Sequence, residues 1–400
     1  MLVYFAPCGM GLGHAARTLA IAGKIVEKGH TAVFSTYGDA VSFLKKQGQK
    51  VLVSYELQYE QAKDGSVDLR LTIAKGPRSL YIFARQVAAE LYYTGIFEPD
   101  IVVSDSRLSS SIAALFRRIP SVLISNQLIV RIPVKRKLNR GLNFAKSLAE
   151  NVLLEATMNV WRRSSLIIIP DFPPPYTISR HNIVFKEEYS DKTVLVGPLV
   201  TKMPEELPPR ESLRKSLGID DRVFVLIVVS GVRGEKEALL QLFKKVLSNI
   251  SLSDDYYIIV TAGFAERVEE VEYIRDNVAI YYWLSNKFEY LKAADVLVSH
   301  GGHTTLAEGM YYGVPQIIVP SISHTERVGN ARSLESLGIG ILLPQENLTA
   351  KSFEEALEKI YKSEDYRRRA REISEEVCRI RAAERAAELI IKAANEEPIS

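Results

Sequence analysis

Residues 7–14 read PCGMGLGH and join an apolar run, Leu2–Pro7, to a helical pattern over 15–28 that Gly29 ends. Glycines at 9, 11 and 13 let backbone amides approach a ligand closely, and the helix start favours negative charge. The third glycine comes one residue too early for G-x-G-x-x-G. The second apolar run ends Ser35-Thr36-Tyr37 with no acidic residue, so the loop does not read as a dinucleotide site. His14 stands at the helix mouth, where it either caps the helix or faces a ligand. Asp105 follows the run DIVVS at 100–104. It reads either as the N-cap of a helix from about residue 109 or as the carboxylate that orients a histidine and stabilises its charged form.

A second loop carries more chemistry. Residues 299–320 read SHGGHTTLAEGMYYGVPQIIVP. A strand ends at Ser299, Gly301 and Gly302 turn the chain, and Thr304 and Thr305 place hydroxyls and amides at a helix start. That is a phosphate cradle without a P-loop lysine. Glu308 sits one turn further on. Thr305-x-x-Glu308 fits a capping box, and a carboxylate there also suits two ribose hydroxyls.

The elements that must position these loops follow from apolar patterning. Strands are expected at 2–7, 31–35, 100–104, 121–124, 166–169 and 194–196. Five more follow at 223–229, 256–261, 278–282, 295–299 and 315–320, with helical patterns between them. Unalternating runs suit parallel strands covered on both faces. Two βαβ arrays in series predict an α/β chain of two doubly wound, Rossmann-like domains facing across a cleft. We place the first domain at 1–195, the linker at 196–209 (it contains MPEELPPR) and the second domain at 210–375. A final helical stretch lies at 376–400.

The chain has 400 residues, 47% apolar and 25% charged, ample for a core without disulfides or a structural metal. Cys8 and Cys378 are its only cysteines, which excludes a disulfide framework and suits a reducing compartment. No apolar run reaches the roughly 20 residues that span a bilayer. Residues 1–5 lack the features of a signal peptide, so a cytoplasmic protein is expected. The net charge of +3 hides an asymmetry. Residues 1–195 hold 25 basic and 16 acidic residues, giving +9, against −6 for the remainder. A basic first half points to a local anionic partner.

Residues 300–315 match HGG-x-x-T-x-x-E-x-x-x-x-G-x-P and so resemble the donor-site signature of GT-B glycosyltransferases. The chain is similar to the MurG-type N-acetylglucosaminyltransferases of family 28, to UDP-glucuronosyltransferases and, above all, to archaeal MurG-like enzymes. The likeness runs from the GxGxGH loop through the Val196-Gly197-Pro198 strand end to the donor signature. It implies that His300, Gly301, Gly302, Thr304 and Thr305 hold the diphosphate, that Glu308 binds the ribose, and that Gly13 and His303 are further donor-binding residues. Trp283-Leu284 occupies the place of the segment whose backbone reads uracil. Ser230-Gly231 matches a second phosphate loop, with Arg233 nearby. Glu326 and Arg327 take the positions that contact the donor sugar. Arg327 departs from the family's usual Gln; it offers only donors and a fixed charge, which suits an acidic sugar or a carboxylate neighbour. His14 falls where the family places the acceptor-facing histidine, and Asp105 where plant-type relatives carry its aspartate. A histidine so oriented suits a general base. The departing UDP gains charge at the helix start, and a single displacement inverts the anomeric centre.

The resemblance implies no metal or other cofactor, the UDP-sugar being a co-substrate, and a C-terminal helix that returns to the first domain. With base and donor loops on separate domains, closure about 196–209 is expected to assemble the site. Residues 131–163 carry eight basic and two acidic residues among interleaved apolar ones, with Arg131, Lys135, Arg136, Lys137 and Arg140 clustered. That mixture suits an anionic membrane surface, and no nucleic-acid motif accompanies it. We therefore expect an inverting hexosyltransferase on the cytoplasmic membrane face. It would move a sugar, GlcNAc by resemblance, from a UDP-sugar to a lipid-linked (polyprenyl- or dolichyl-phosphate type) or other glycan acceptor. Two alternatives share the fold: a non-hydrolysing UDP-GlcNAc 2-epimerase and a non-catalytic nucleotide-sugar-binding subunit.

Overall fold

The computed structural model describes residues 1–9, 12–56, 76–125, 159–180, 191–219, 221–231, 233–251 and 253–395. They form two seven-stranded sheets in series. The first contains β1 (Leu2–Pro7), β2 (Thr31–Thr36), β3 (Val51–Val53), β4 (Ile101–Asp105), β5 (Ser121–Ile124), β6 (Leu166–Ile169) and β7 (Thr193–Leu195). Its order is β3-β2-β1-β4-β5-β6-β7 and every pairing is parallel. The second contains β8 (Val223–Val228), β9 (Tyr256–Thr261), β10 (Val271–Arg275), β11 (Val278–Tyr281), β12 (Val296–Ser299), β13 (Gln316–Ile318) and β14 (Gly340–Leu342). Its order is β10-β11-β9-β8-β12-β13-β14, with only β10 antiparallel. The fold is α/β, two doubly wound Rossmann-like units. Every residue of β8 is buried, as expected of a strand with helices on both faces.

Strand order reverses at one place in each sheet, and such switch points open a crevice at the strands' carboxyl ends. In the first sheet the reversal falls between β1 and β4. Pro7 pairs with Asp105, and the Cys8 amide donates to the Asp105 carbonyl at 3.1 Å. In the second it falls between β8 and β12, where Val228 pairs with Ser299. Both chemistry-bearing loops leave their sheets at these crevices.

Three strands escaped the sequence reading. β3 and β14 are three residues long, and β10 is an exposed antiparallel edge. The chain's end is also more specific than expected. Glu364–Cys378 is one helix packed with the second unit, and the helix that crosses back is Ala382–Asn395. Its small face, Ala382, Ala386, Ala387 and Ala393 with Ile390, joins the first unit's core beside Ile21 and Ile25. Lys28 pairs with Glu388 above that seam at 3.1 Å. Gly197, at φ +95°, marks where the two crossings touch. A Cβ there would stand 3.1 Å from the Ala382 Cβ. Among the described residues, no helix is long and apolar enough to cross a membrane.

Candidate active site

Helix Gly13–Glu27 begins directly at the first crevice, and Leu12, not His14, is its N-cap. His14 is therefore free of a capping role. Its Nδ1 lies 2.9 Å from Asp105 Oδ1. Asp105 ends β4 and is fully buried, while Arg107 is the N-cap of the following helix, Leu108–Arg117. The capping reading of Asp105 is thereby corrected: its carboxylate faces the histidine.

A third member was not anticipated. Arg17, one turn after His14 on the same helix face, is 6% exposed and grips the Asp105 carboxylate with two nitrogens. Its Nη2 also lies 2.9 Å from His14 Nδ1. Burial alone would raise the Asp105 pKa, but the charges of Arg17 and His14 outweigh it and hold the group at about 2. Guanidinium groups only donate and carboxylates only accept. Nδ1 can therefore serve one of these two neighbours at a time: donation of Nδ1–H to Asp105 leaves Nε2 unprotonated, as a base requires, whereas acceptance from Arg17 puts the proton on Nε2. Arg17 also cancels much of Asp105's charge, and what the aspartate supplies to the imidazole is orientation.

The second crevice holds the cradle. Ser299 is followed by His300, then by Gly301 at φ +90°, and Gly302 is the N-cap of helix His303–Tyr311. An N-cap without a side chain leaves the first-turn amides available to an anion. Across the turn, Ser230 Oγ lies 3.5 Å from His300 Nδ1, so the loops after β8 and β12 form one concavity. Burial first, and then Arg327, push the His300 pKa down to about 3. At neutral pH this histidine offers a hydrogen bond to a phosphate, not a positive charge. Asn330 supports the turn, its Nδ2 donating to the Gly301 carbonyl at 3.2 Å.

Glu308 is buried, and Lys287 Nζ donates to both of its oxygens at 2.8 and 2.7 Å. The capping-box reading falls because the cap is Gly302, three residues before Thr305, which lies inside the helix. Leu284 packs in the second unit's core, while Trp283 beside it is only half-buried. Arg327 is neither a surface arginine nor free. Its fork donates to Glu235 at 2.6 and 3.0 Å, and His324 Nε2 stands 3.2 Å from the same carboxylate. Glu326, one residue earlier, is half-buried.

Two further residues depart from the sequence expectation. His303 is expected among the donor-binding residues, yet its Nε2 lies 3.3 Å from Asp171 Oδ1 of the first unit. Asp171 in turn accepts the amides of Phe172, Ile178 and Ser179. His303 therefore sets helix His303–Tyr311 against the loop after β6. Arg233 is mostly exposed and engages Glu237 and Glu266 on the surface. The cluster Arg131, Lys135, Arg136, Lys137 and Arg140 lies outside the described residues.

The two crevices meet. A Cβ on Gly13 would stand 3.5 Å from Thr304 Oγ1, so the start of the His14 helix abuts the start of the donor helix. In this conformation the two helix starts already stand together.

Known proteins place this arrangement. Residues 225–389 match the glycosyltransferase family 28 C-terminal domain, and residues 1–160 match glycosyl transferase family 1. An uncharacterised glycosyltransferase of Methanosarcina mazei is 30% identical over 339 residues, covering 84% of each chain. The UDP-N-acetylglucosamine–N-acetylmuramyl-(pentapeptide) pyrophosphoryl-undecaprenol N-acetylglucosamine transferase of Lactobacillus acidophilus is 29% identical over 173 residues, 41% of this chain and 45% of that one. The solved glycosyltransferase VinC, in complex with dTDP, superposes with a TM-score of 0.62 at 17% identity over 98% of this chain and 99% of that one, a likeness of fold.

Proposed function

The chain belongs to the GT-B glycosyltransferases of family-28 type, and from that premise we propose that it transfers GlcNAc from UDP-GlcNAc, with inversion, to a lipid-linked or other glycan acceptor at the cytoplasmic membrane face. One observation carries the chemistry: a histidine fixed by a buried carboxylate, with its outer nitrogen free, set against the start of an open anion cradle. The acceptor hydroxyl gives its proton to His14 Nε2 as its oxygen attacks the anomeric carbon. The bond to the UDP oxygen breaks on the opposite side, which inverts the centre. The charge arriving on UDP meets the first-turn amides of helix His303–Tyr311 and the positive end of its dipole. Those groups replace the charge that a metal would supply, and activity is expected to survive EDTA. The preference for GlcNAc is supported by the likeness to the Lactobacillus N-acetylglucosamine transferase.

Glu308 is assigned to the ribose, with Lys287 holding its carboxylate in place until the hydroxyls arrive. Glu308→Gln is expected to weaken UDP binding about tenfold, the loss of roughly 1.4 kcal/mol from a charged hydrogen bond. Titration calorimetry with UDP tests this, and unchanged affinity would remove Glu308 from the nucleoside site.

The membrane assignment gains a second support. Helix Gly76–Phe97 exposes Tyr81, Tyr92 and Ile96 along one side by more than half, with Arg85 the charge between them. Phe116, 75% exposed, lies near the end of the neighbouring helix Leu108–Arg117, followed by Arg117, which donates to the Leu91 carbonyl at 2.9 Å, and Arg118. Aromatic, aliphatic and cationic groups together suit the interface of an anionic bilayer. Phosphatidylglycerol vesicles are expected to co-sediment the protein at low salt and release it at high salt. The variant Tyr92→Glu/Ile96→Glu is expected to remain in solution. Failure of the wild type to sediment at low salt would remove the membrane-face reading.

A further inference from the structure

The phosphate cradle is flanked by a second ion pair whose two members each pack on one of its glycine turns. Glu235 lies in the first turn of helix Arg233–Ser248, directly against Gly231 (φ +115°), where a Cβ would collide with its Oε2. Arg327 backs the other turn, its Cβ 3.2 Å from where a Gly301 Cβ would stand. Both terminal nitrogens of Arg327 point at the two oxygens of Glu235, and His324 adds a third contact. The pair is largely buried, Glu235 at 15% and Arg327 at 19% side-chain exposure. Burial opposes the charge on Glu235, yet His324 and Arg327 hold its pKa at about 2, so it is ionised at any working pH.

We propose that Glu235 determines donor specificity: by occupying the Arg327 fork it keeps the sugar side of the cradle neutral and restricts the donor to uncharged sugars. This rests on the nucleotide-sugar reading, in which Glu308 takes the nucleoside end and leaves this pair beside the sugar. The fork is the group that would otherwise recognise a uronic acid, because a planar guanidinium binds a carboxylate with two parallel hydrogen bonds. A sugar carboxylate entering here would have to displace Glu235. That exchanges one such pair for another and strands a partly buried carboxylate without its counter-charge. The departure of Arg327 from an amide side chain thus carries no preference for an acidic donor, because Glu235 compensates it.

The test compares UDP-glucose with UDP-glucuronate, which differ only at C6, so any effect of a freed Arg327 on the diphosphate cancels in the ratio of their Kd values. Wild type is expected to bind UDP-glucose at least about tenfold more tightly. Glu235→Gln is expected to move the ratio toward UDP-glucuronate by about tenfold or more. The double variant Glu235→Gln/Arg327→Gln, with both charges gone, is expected to return to the wild-type ratio. Equal or tighter binding of UDP-glucuronate by wild type overturns the proposal without recourse to any variant. So does an unmoved ratio in a folded Glu235→Gln, or a shift that persists in the double variant. Failure of the wild type to bind UDP itself would instead remove the nucleotide-sugar reading, and this inference with it.

Discussion

Replacing His14 with alanine is expected to lower kcat by about 10²- to 10⁴-fold, the usual worth of a positioned general base. UDP affinity should be almost untouched. The proposed donor cradle is built from loops of the second sheet, after β8 and β12, and among the described residues the His14 helix approaches it at the neighbouring Gly13. The imidazole is held through Nδ1, which lies 2.9 Å from both Asp105 Oδ1 and Arg17 Nη2. Glutamine at 14 retains a similar reach but offers no basic nitrogen, so it should be as inactive as alanine. Steady-state UDP release, with UDP binding measured on the same samples, separates the two effects. Near wild-type turnover by a folded His14→Ala protein would remove the base from the mechanism.

The second large effect concerns Asp105 and falls on both stability and turnover. Alanine at 105 would leave Arg17 almost fully buried without its counter-charge. Breaking a buried pair from one side costs about 3–5 kcal/mol. Asparagine keeps the volume and should fold more readily. It accepts at one atom where the carboxylate accepts at two, so it cannot serve Arg17 and His14 together. Its turnover is expected to fall by about two orders of magnitude or more, through loss of the Nδ1–H tautomer. The wild-type pair also predicts an acid dependence. The Asp105 pKa falls from 3.8 in the unfolded chain to about 2 in the fold. Its contribution, on the order of 2 kcal/mol, is therefore complete above about pH 4 and is lost as pH falls toward 2. Urea unfolding at pH 6, 4 and 3 should show this loss in wild type and a shallower decline in Asp105→Asn. Parallel pH profiles for the two proteins would contradict the assignment.

What the sequence makes legible depends on how local the signal is. The run Val223–Val228 announces a buried parallel strand because every position is apolar, and its place beside the cradle then follows from the order of strands. The glycine turns at 301 and 302 are equally readable, since turn and helix start are adjacent in sequence. The edge strand Val271–Arg275 alternates between exposed and half-buried residues and borrows its structure from one antiparallel neighbour. Long-range pairs carry no local mark. Arg17 finds Asp105 across 88 residues, and Arg327 finds Glu235 across 92. Read alone, Asp105 and Glu308 both satisfied capping patterns. Backbone geometry settled them otherwise, by giving the caps to Arg107 and Gly302. His303 misled for the opposite reason. Its neighbours belong to the cradle, but its ring turns to Asp171 in the other half of the molecule.

The central claim is that a base on the first unit activates an acceptor against a nucleotide-sugar bound on the second. UDP release from a panel of UDP-sugars, with and without a membrane lipid extract, tests it most directly when wild type and His14→Ala are run side by side. The account predicts lipid-dependent release from UDP-GlcNAc that disappears in the variant. Acceptor-independent conversion of UDP-GlcNAc to its 2-epimer, or undiminished lipid-dependent release by a folded His14→Ala protein, would contradict it.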